Sequence, residues 1–301
     1  MSSSIVGGAK LEAAAKGYKA LFFSALERES NEANTLKELL SMEVPSTGSE
    51  ENYNWLGDVP GMQEWIGERP ISKLKNYGYT IKNKTWANGL TIRAEDVEDD
   101  KLTVIRPRIV ALAEEAAHHK LSLITDLLNG GFASTCYDGQ YFFDSDHVSG
   151  NSGSISNVGG SDLSITTYAT AVAAMRNFKN DEGKSLRINP THLFVSPTFE
   201  AVARQIAYAE QVTSGVTNIW RNSVTPVVLP EISDADSWFL MDLSKPLKPF
   251  ISQTRRPVDF RAMDNPNDQD AFMRNEFYYG ADYRGNAGYG LWQLAYGNTG
   301  A

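Results

Sequence analysis

The stretch Thr103–Asn129, TVIRPRIVALAEEAAHHKLSLITDLLN, sets the scale of the molecule. Ile105, Ile109, Leu112, Ala116, Leu123 and Leu127 form one apolar stripe at helical spacing. Ala113, Ala117, Leu121, Ile124 and Leu128 form a second. Two stripes predict a helix buried around much of its girth. Pro107 has no N–H to donate and is tolerated only near a helix start, so the regular helix begins at it or shortly before it. Glu95, Asp96, Glu98, Asp99 and Asp100 stand just upstream, where the positive end of the helix dipole favours carboxylates. Asn129-Gly130-Gly131 ends the run, with glycine supplying a left-handed residue. About 25 helical residues span roughly 37 Å, which is long for a chain of 301 residues.

Upstream, residues 50–100 carry Trp55, Trp65 and Trp86 among tyrosines, glycines and prolines. Tyr77, Tyr79 and Ile81 alternate at period two, as do Trp86, Leu90 and Ile92, with Lys82-Asn83-Lys84-Thr85 between them. This predicts two strands of a hairpin or one bent ribbon. Such a ribbon cannot bury both faces on itself and must lean on something. Tyr and Trp favour interfaces because they bring large area at low entropy cost. Before Pro45, two helical runs appear, one through Leu11–Ala25 and one through Leu36, Leu39 and Leu40. They read as a helical arm.

Downstream, Tyr141-Phe142-Phe143 reads as a short strand and Ser149–Gly160 as a mobile polar loop. Ile165, Tyr168, Val172, Met175 and Phe178 mark a helix, and Thr191–Ser196 marks a strand. Ser196 is placed to cap a helix with Pro197 at its first position. Val224–Leu229 and Trp238–Met241 are further strands. The last thirty-odd residues are strand-like and aromatic. The class is α+β.

Composition excludes several functions. There are 28 Lys and Arg against 37 Asp and Glu, a net charge of −9, which argues against a general nucleic-acid binder. The single cysteine, Cys136, excludes an internal disulfide framework and a cysteine-built zinc site. The first ten residues lack the apolar core of a signal peptide, and no run reaches the roughly 18–20 apolar residues of a membrane span. A soluble protein kept in a reducing compartment is expected.

Few clusters could carry chemistry. Glu114/His118 and Glu115/His119 lie at i,i+4 on the long helix, but a zinc site needs a third ligand and no partner motif is evident. Asp144, Asp146 and His147 could build a metal-dependent hydrolase. The plainer alternative is a turn whose carboxylates accept from backbone N–H groups. Cys136 could pair with His147 as a nucleophile, although a lone cysteine is more often buried and inert. Gly7-Gly8-Ala9-Lys10 lacks the second glycine and the Ser/Thr of a phosphate loop. Arg255-Arg256, Lys245 and Lys248 read as scattered surface cations.

Six short motifs carry a resemblance in order and spacing across nearly the whole chain: Glu64-Trp65-Ile66-Gly67-Glu68-Arg69, Tyr79-Thr80-Ile81-Lys82-Asn83-Lys84, Glu98-Asp99-Asp100, Phe143-Asp144-Ser145-Asp146-His147, Met175-Arg176-Asn177-Phe178-Lys179 with Gly183, and Trp292-Gln293-Leu294-Ala295-Tyr296-Gly297. The chain resembles the Mu-like major head subunit family of tailed double-stranded DNA phages, with the Hong Kong 97-type phage capsid fold. The resemblance implies an N-terminal arm (1–50), an extended loop (51–100), a peripheral domain with the long helix as its spine (101–159), an axial domain (mostly 160–260) and C-terminal strands (261–301) returning to the peripheral domain.

It also implies a shell protein without an active site, cofactor or bound metal, assembled in the host cytoplasm into pentamers and hexamers of an icosahedral virion capsid. Trp55, Trp65, Arg69, Tyr77, Tyr79, Trp86 and Trp292 are the expected subunit interface. The implied partners are copies of itself, a separate scaffold, a maturation protease, a portal, a decoration protein in some relatives, and packaged DNA held without sequence-specific contact. No membrane is involved. A cargo-enclosing nanocompartment of the same fold and a tail or decoration protein are the alternatives. An acidic balance further predicts an inner wall that is not basic, along which DNA slides.

Overall fold

The computed structural model describes residues 8–54, 56, 78–93, 95–96, 102–148, 153–212, 215–265 and 273–300. Helix α1 (Gly8–Leu40) lies along α2 (Leu102–Gly130). At 29 residues α2 is roughly 43 Å long, and no single small core could cover it. It serves two. Its first half gives Ile105, Ile109, Leu112 and Ala113 to a core with Tyr18, Phe22 and Ala25 of α1 and with Phe260, Phe277 and Tyr279. Its second half gives Leu121, Ile124 and Leu128 to a larger core around Phe194, Trp238 and Phe239. The two apolar stripes seen in the sequence follow from this double duty. Pro107 lies inside the helix, which starts five residues before it.

A four-stranded sheet packs on α2. Its order is β1 (Ser41–Pro45), β13 (Phe250–Met263), β14 (Glu276–Tyr289), β4 (Lys84–Arg93), with β1 parallel to β13 and the other pairs antiparallel. β14 alternates strictly, turning Phe277, Tyr279, Ala281 and Tyr283 inward. A five-stranded sheet forms the second body: β11 (Thr225–Val228), β8 (His192–Val195), β12 (Trp238–Met241), β15 (Ala295–Asn298), β7 (Val158–Gly159). Helices α3 (Ile165–Arg176) and α4 (Glu200–Tyr208) pack on it. Short pairs complete the described residues: β2 (Glu50–Asn52) with β3 (Thr80–Lys82), β5 (His147–Val148) with β6 (Ser154–Ile155), and β9 (Gln211–Val212) with β10 (Val216–Thr217).

Several expectations are corrected. The two N-terminal helical runs are one helix, and it packs into both cores, through Tyr18, Phe22 and Ala25 into one and through Leu40 into the other. β3 and β4 do not pair with each other. β3 pairs with β2 and β4 with β14, so the bent ribbon is the form found. Asn83 makes the bend: its amide donates to Ser46 Oγ (2.7 Å) and the Gly48 carbonyl (2.9 Å), and its Oδ1 accepts from Gln253 Nε2 (2.7 Å). Tyr141-Phe142-Phe143 is a turn-rich loop with one isolated bridge, Thr135 to Tyr141. The polar stretch Ser149–Gly160 contains β6 and β7; residues 149–152 lie outside the described residues. Ser196 stands at the N-cap position with Pro197 at the first position, as expected, but of a 3-10 turn (Pro197–Phe199) that precedes α4, and its hydroxyl donates to the Ala235 carbonyl instead of capping. The 14-residue strand β13 was not foreseen, because Arg255-Arg256-Pro257 reads as a break. The ladder shifts register around Arg256, so Pro257 is accommodated at an irregularity.

Two clamps join these parts. Glu43 of β1 meets Lys37 of α1 (2.6 Å), Lys120 of α2 (3.3 Å) and the Thr254 hydroxyl of β13 (3.1 Å). Partial burial alone would raise its carboxyl; the two ammonium groups prevail and lower it to about 2. A depressed carboxylate contributes stability that is present above its unfolded value of 4.5 and lost as pH falls towards about 2. Wild-type melting temperature is therefore expected to fall through this window, and Glu43→Gln to flatten that fall. Equal slopes for the two proteins in thermal melts from pH 6 to pH 2.5 would remove the clamp from the account. The second joint is tight backbone packing at Gly290, whose N–H donates to the Pro249 carbonyl (2.7 Å). A Cβ there would sit 2.4 Å from the Lys248 carbonyl oxygen. Backbone cannot swing aside, so Gly290→Ala is expected to cost about 1–3 kcal/mol in denaturant unfolding.

Candidate assembly surface

Of the expected interface residues, Trp55, Trp65, Arg69 and Tyr77 lie outside the described residues. The other three occupy different settings. Trp86 of β4 is half-buried; its Nε1 donates to the Gly285 carbonyl (3.1 Å) and its ring lies 4.7 Å from that of His119. With Glu115, Ala116, Asp282 and Tyr283 these two rings line a recess of about 200 Å³ between α2 and the four-stranded sheet. Tyr79 is also half-buried. Its hydroxyl oxygen accepts from the Tyr289 N–H (2.8 Å), and burial pushes its pKa up to about 12. Trp292 is 1% exposed and stacks on His147 at 3.9 Å with the planes 8° apart. Its ring is spent inside the subunit.

Among the described residues, exposed large apolar side chains include Phe23, Tyr141 and Val148, a group from Tyr208 to Ile219, and Met263 and Met273. At the close of α4 and just after it, Tyr208 is 48%, Val216 60% and Ile219 80% exposed. Between them runs the β9–β10 pair, with Gly215 at φ +79°. This excursion is held firmly at its base. Asn218 is buried; its amide donates to the Ile206 (2.9 Å) and Ala209 (3.0 Å) carbonyls at the end of α4, and its Oδ1 accepts from the Trp220 N–H (3.0 Å). Met263 closes β13 and Met273 precedes β14, both exposed. Sequence reading missed the first patch, because Val212 to Ile219 shows no periodicity. An exposed Val and Ile flanking a Gly was the available signal.

The clusters singled out for chemistry resolve differently. His119 faces Trp86 and Tyr283, and burial lowers its pKa. His118 is exposed. Glu114 pairs with Arg28 of α1 at 3.6 Å. Asp144, Asp146 and His147 do not converge. Asp144 accepts from the Tyr141 (3.2 Å) and Ser145 (2.7 Å) N–H groups, Asp146 accepts from Gln140 Nε2 (3.0 Å), and His147 turns to Asp138 (2.7 Å). The hydrolase reading fails on this geometry. Cys136 is buried, its thiol 3.0 Å from Asp138 Oδ1; burial first, and the carboxylate second, push its pKa up and keep it a thiol.

The sequence pattern of the family described as Mu-like prophage major head subunit gpT matches residues 11–164, 160–232 and 231–301. This chain belongs to that family. Among Mu-like head subunits, the one of the FluMu prophage in Haemophilus influenzae is 34% identical over 253 residues, covering 84% of this chain. The chain spans 62% of the length of that relative. The major capsid protein of Escherichia phage Mu is 28% identical over 291 residues, covering 97% of this chain and 74% of its own. In three dimensions the chain is similar to a subunit from the procapsid of bacteriophage JBD30, with TM-score 0.58 and 27% identity over 96% of this chain and 76% of that one. The α+β capsid fold expected from the Mu-like resemblance is thus the fold observed.

Proposed function

We propose that this chain is the major head protein of a tailed phage: copies close into rings of five and six, and the rings into an icosahedral shell around double-stranded DNA. The observation that carries the reading is the family match across residues 11–301, borne by a fold shared with the JBD30 procapsid subunit. In this reading residues 1–50 are the arm, 51–100 the extended loop, 101–159 the peripheral domain with α2 as its spine, 160–260 most of the axial domain, and 261–301 the returning strands. The chain performs no catalysis. It takes a separate scaffold, a maturation protease and a portal as partners, and touches DNA without reading it.

Physical chemistry supports the division of labour. A ring needs a heterologous, head-to-tail contact, because the same two patches must meet in every copy. The patch beyond α4 and the ribbon of β4 offer two different surfaces on one subunit. Obligate contacts bury roughly 2,000–5,000 Å², and most of the gross gain is offset by ordering costs. Each contact is therefore weak enough to be corrected during closure. The test is negative-stain imaging of the purified protein, alone and with its scaffold. Rings or closed shells are expected; a monodisperse monomer in both preparations at high concentration would sink the reading.

A further inference from the structure

Between α2 and β5 the chain gathers three donors of three chemical kinds. Cys136 Sγ lies 3.0 Å from Asp138 Oδ1, and His147 Nδ1 lies 2.7 Å from Asp138 Oδ2. The three ligand atoms lie within 4.8 Å of one another. A tight turn creates the meeting: Gly139 takes φ +90°, and Cys136 donates its N–H to the Gln140 carbonyl (2.8 Å). The side chains of His147 and Asp138 are 0% and 8% exposed, and Cys136 is 6% exposed. The imidazole is held flat against Trp292. Its far nitrogen, Nε2, is buried with no partner, so nothing on that side fixes the tautomer. In the metal-free chain Nδ1 carries the ring proton and donates it to the Asp138 carboxylate; an ion taken up at Nδ1 would move that proton to Nε2.

We propose that Cys136, Asp138 and His147 form a binding site for a borderline-soft divalent cation of the zinc class. Thiolate, carboxylate and imidazole are the donor set such ions select. The charges close once the ion displaces the Cys136 thiol proton to solvent: one thiolate and one carboxylate neutralise a dipositive ion, and the imidazole is neutral. The distances are within reach. Bonds of about 2.0–2.3 Å place tetrahedral donors about 3.3–3.7 Å apart, so the two hydrogen-bonded pairs separate by less than about 1 Å, and Cys136 and His147, whose ligand atoms lie within 4.8 Å, settle at that spacing. Water supplies the fourth position from the slightly exposed side of Asp138. The ion would staple the loop after α2 to β5, whose His147 ring lies on Trp292, within the larger core. It acts as a structural ion, and the site stands whether or not the chain builds a shell.

Cobalt(II) titration of the metal-free, soluble full chain tests this. One Co²⁺ per chain is expected to bring thiolate-to-cobalt charge-transfer absorption and tetrahedral d–d bands, both abolished by Zn²⁺. Cys136→Ser is expected to lose the charge-transfer band and to bind Co²⁺ at least about 100-fold more weakly, beyond the 10- to 100-fold effect of an outer-sphere partner. Wild-type protein is expected to melt at a lower temperature in chelator than in Zn²⁺. Absence of the charge-transfer band at stoichiometric Co²⁺ would overturn the site and leave a hydrogen-bonded clasp. Unchanged affinity in Cys136→Ser would overturn it too. If that variant does not fold, the wild-type spectrum decides alone.

Discussion

Phe142→Ala is expected to destabilise the subunit by about 3–5 kcal/mol, the largest effect of any single substitution considered. The ring is 0% exposed. It stacks on Tyr289 at 4.6 Å, meets Phe143 at 4.9 Å and Phe250 at 5.4 Å. Those partners come from the end of β14, the loop after α2 and the start of β13. Phe143 in turn touches Phe239 of the five-stranded sheet at 5.4 Å. Removing the ring therefore opens a void where both sheets meet the loop that follows the long helix. The walls are poorly able to collapse into it, because Asn157 pins the Phe142 carbonyl (2.8 Å) and the Ala295 carbonyl (3.2 Å) from a fully buried position. Phe142→Leu keeps much of the volume and should cost roughly half as much or less. Guanidinium unfolding monitored by tryptophan fluorescence measures both. A loss under about 1 kcal/mol for the alanine variant would mean that the cluster repacks and does not hold the junction.

What could be read in the sequence was what is local. The spine helix announced itself through two stripes and a glycine stop, and α3 through Tyr168, Val172 and Met175, because side chains three and four apart report on a shared face. Strands β8 and β12 were legible as apolar runs. Long-range pairing was not. Whether Ile81 and Trp86 lie in one hairpin depends on Glu51 and Tyr283, the residues opposite them across the ladders, and no feature between Tyr77 and Ile92 encodes those partners. β13 was hidden by Pro257, whose cost is absorbed by a ladder irregularity visible only with β14 beside it. The candidate surface divides in the same way. Aromatic content marked Trp86 and Trp292 alike, yet composition does not distinguish a ring left at a recess from one stacked on His147. The same limit applied to Asp144, Asp146 and His147: proximity in sequence suggested one site, while the backbone turned His147 towards Asp138, nine residues away.

The double substitution Val216→Asp/Ile219→Asp is expected to raise the protein concentration needed for assembly by at least about 100-fold, while the isolated subunit stays folded. Both side chains are mostly in solvent, at 60% and 80% exposure, and exposed substitutions usually change stability by no more than about 0.5 kcal/mol. The buried Asn218 and its bonds to the end of α4 are untouched, so the excursion keeps its shape. In an assembled ring the account reverses. Each apolar side chain covered by a neighbour contributes about 1.5–3 kcal/mol, and about 1.4 kcal/mol is a factor of ten in association. Scaled to the area still exposed, losing two such contributions per copy is on the order of a 100-fold effect before charge is counted. The two carboxylates then add like-charge repulsion repeated at every position around the axis, so Val216→Ser/Ile219→Ser should fall between wild type and the aspartate pair. Raised salt should restore part of the aspartate loss and little of the serine loss, since screening acts on charge and not on burial. Sedimentation velocity across a concentration series, with a thermal melt of each subunit, separates the outcomes. If aspartate variants assemble at the wild-type concentration, the patch beyond α4 faces solvent in the shell, and ring closure must rest on the ribbon of β4 and its neighbours instead.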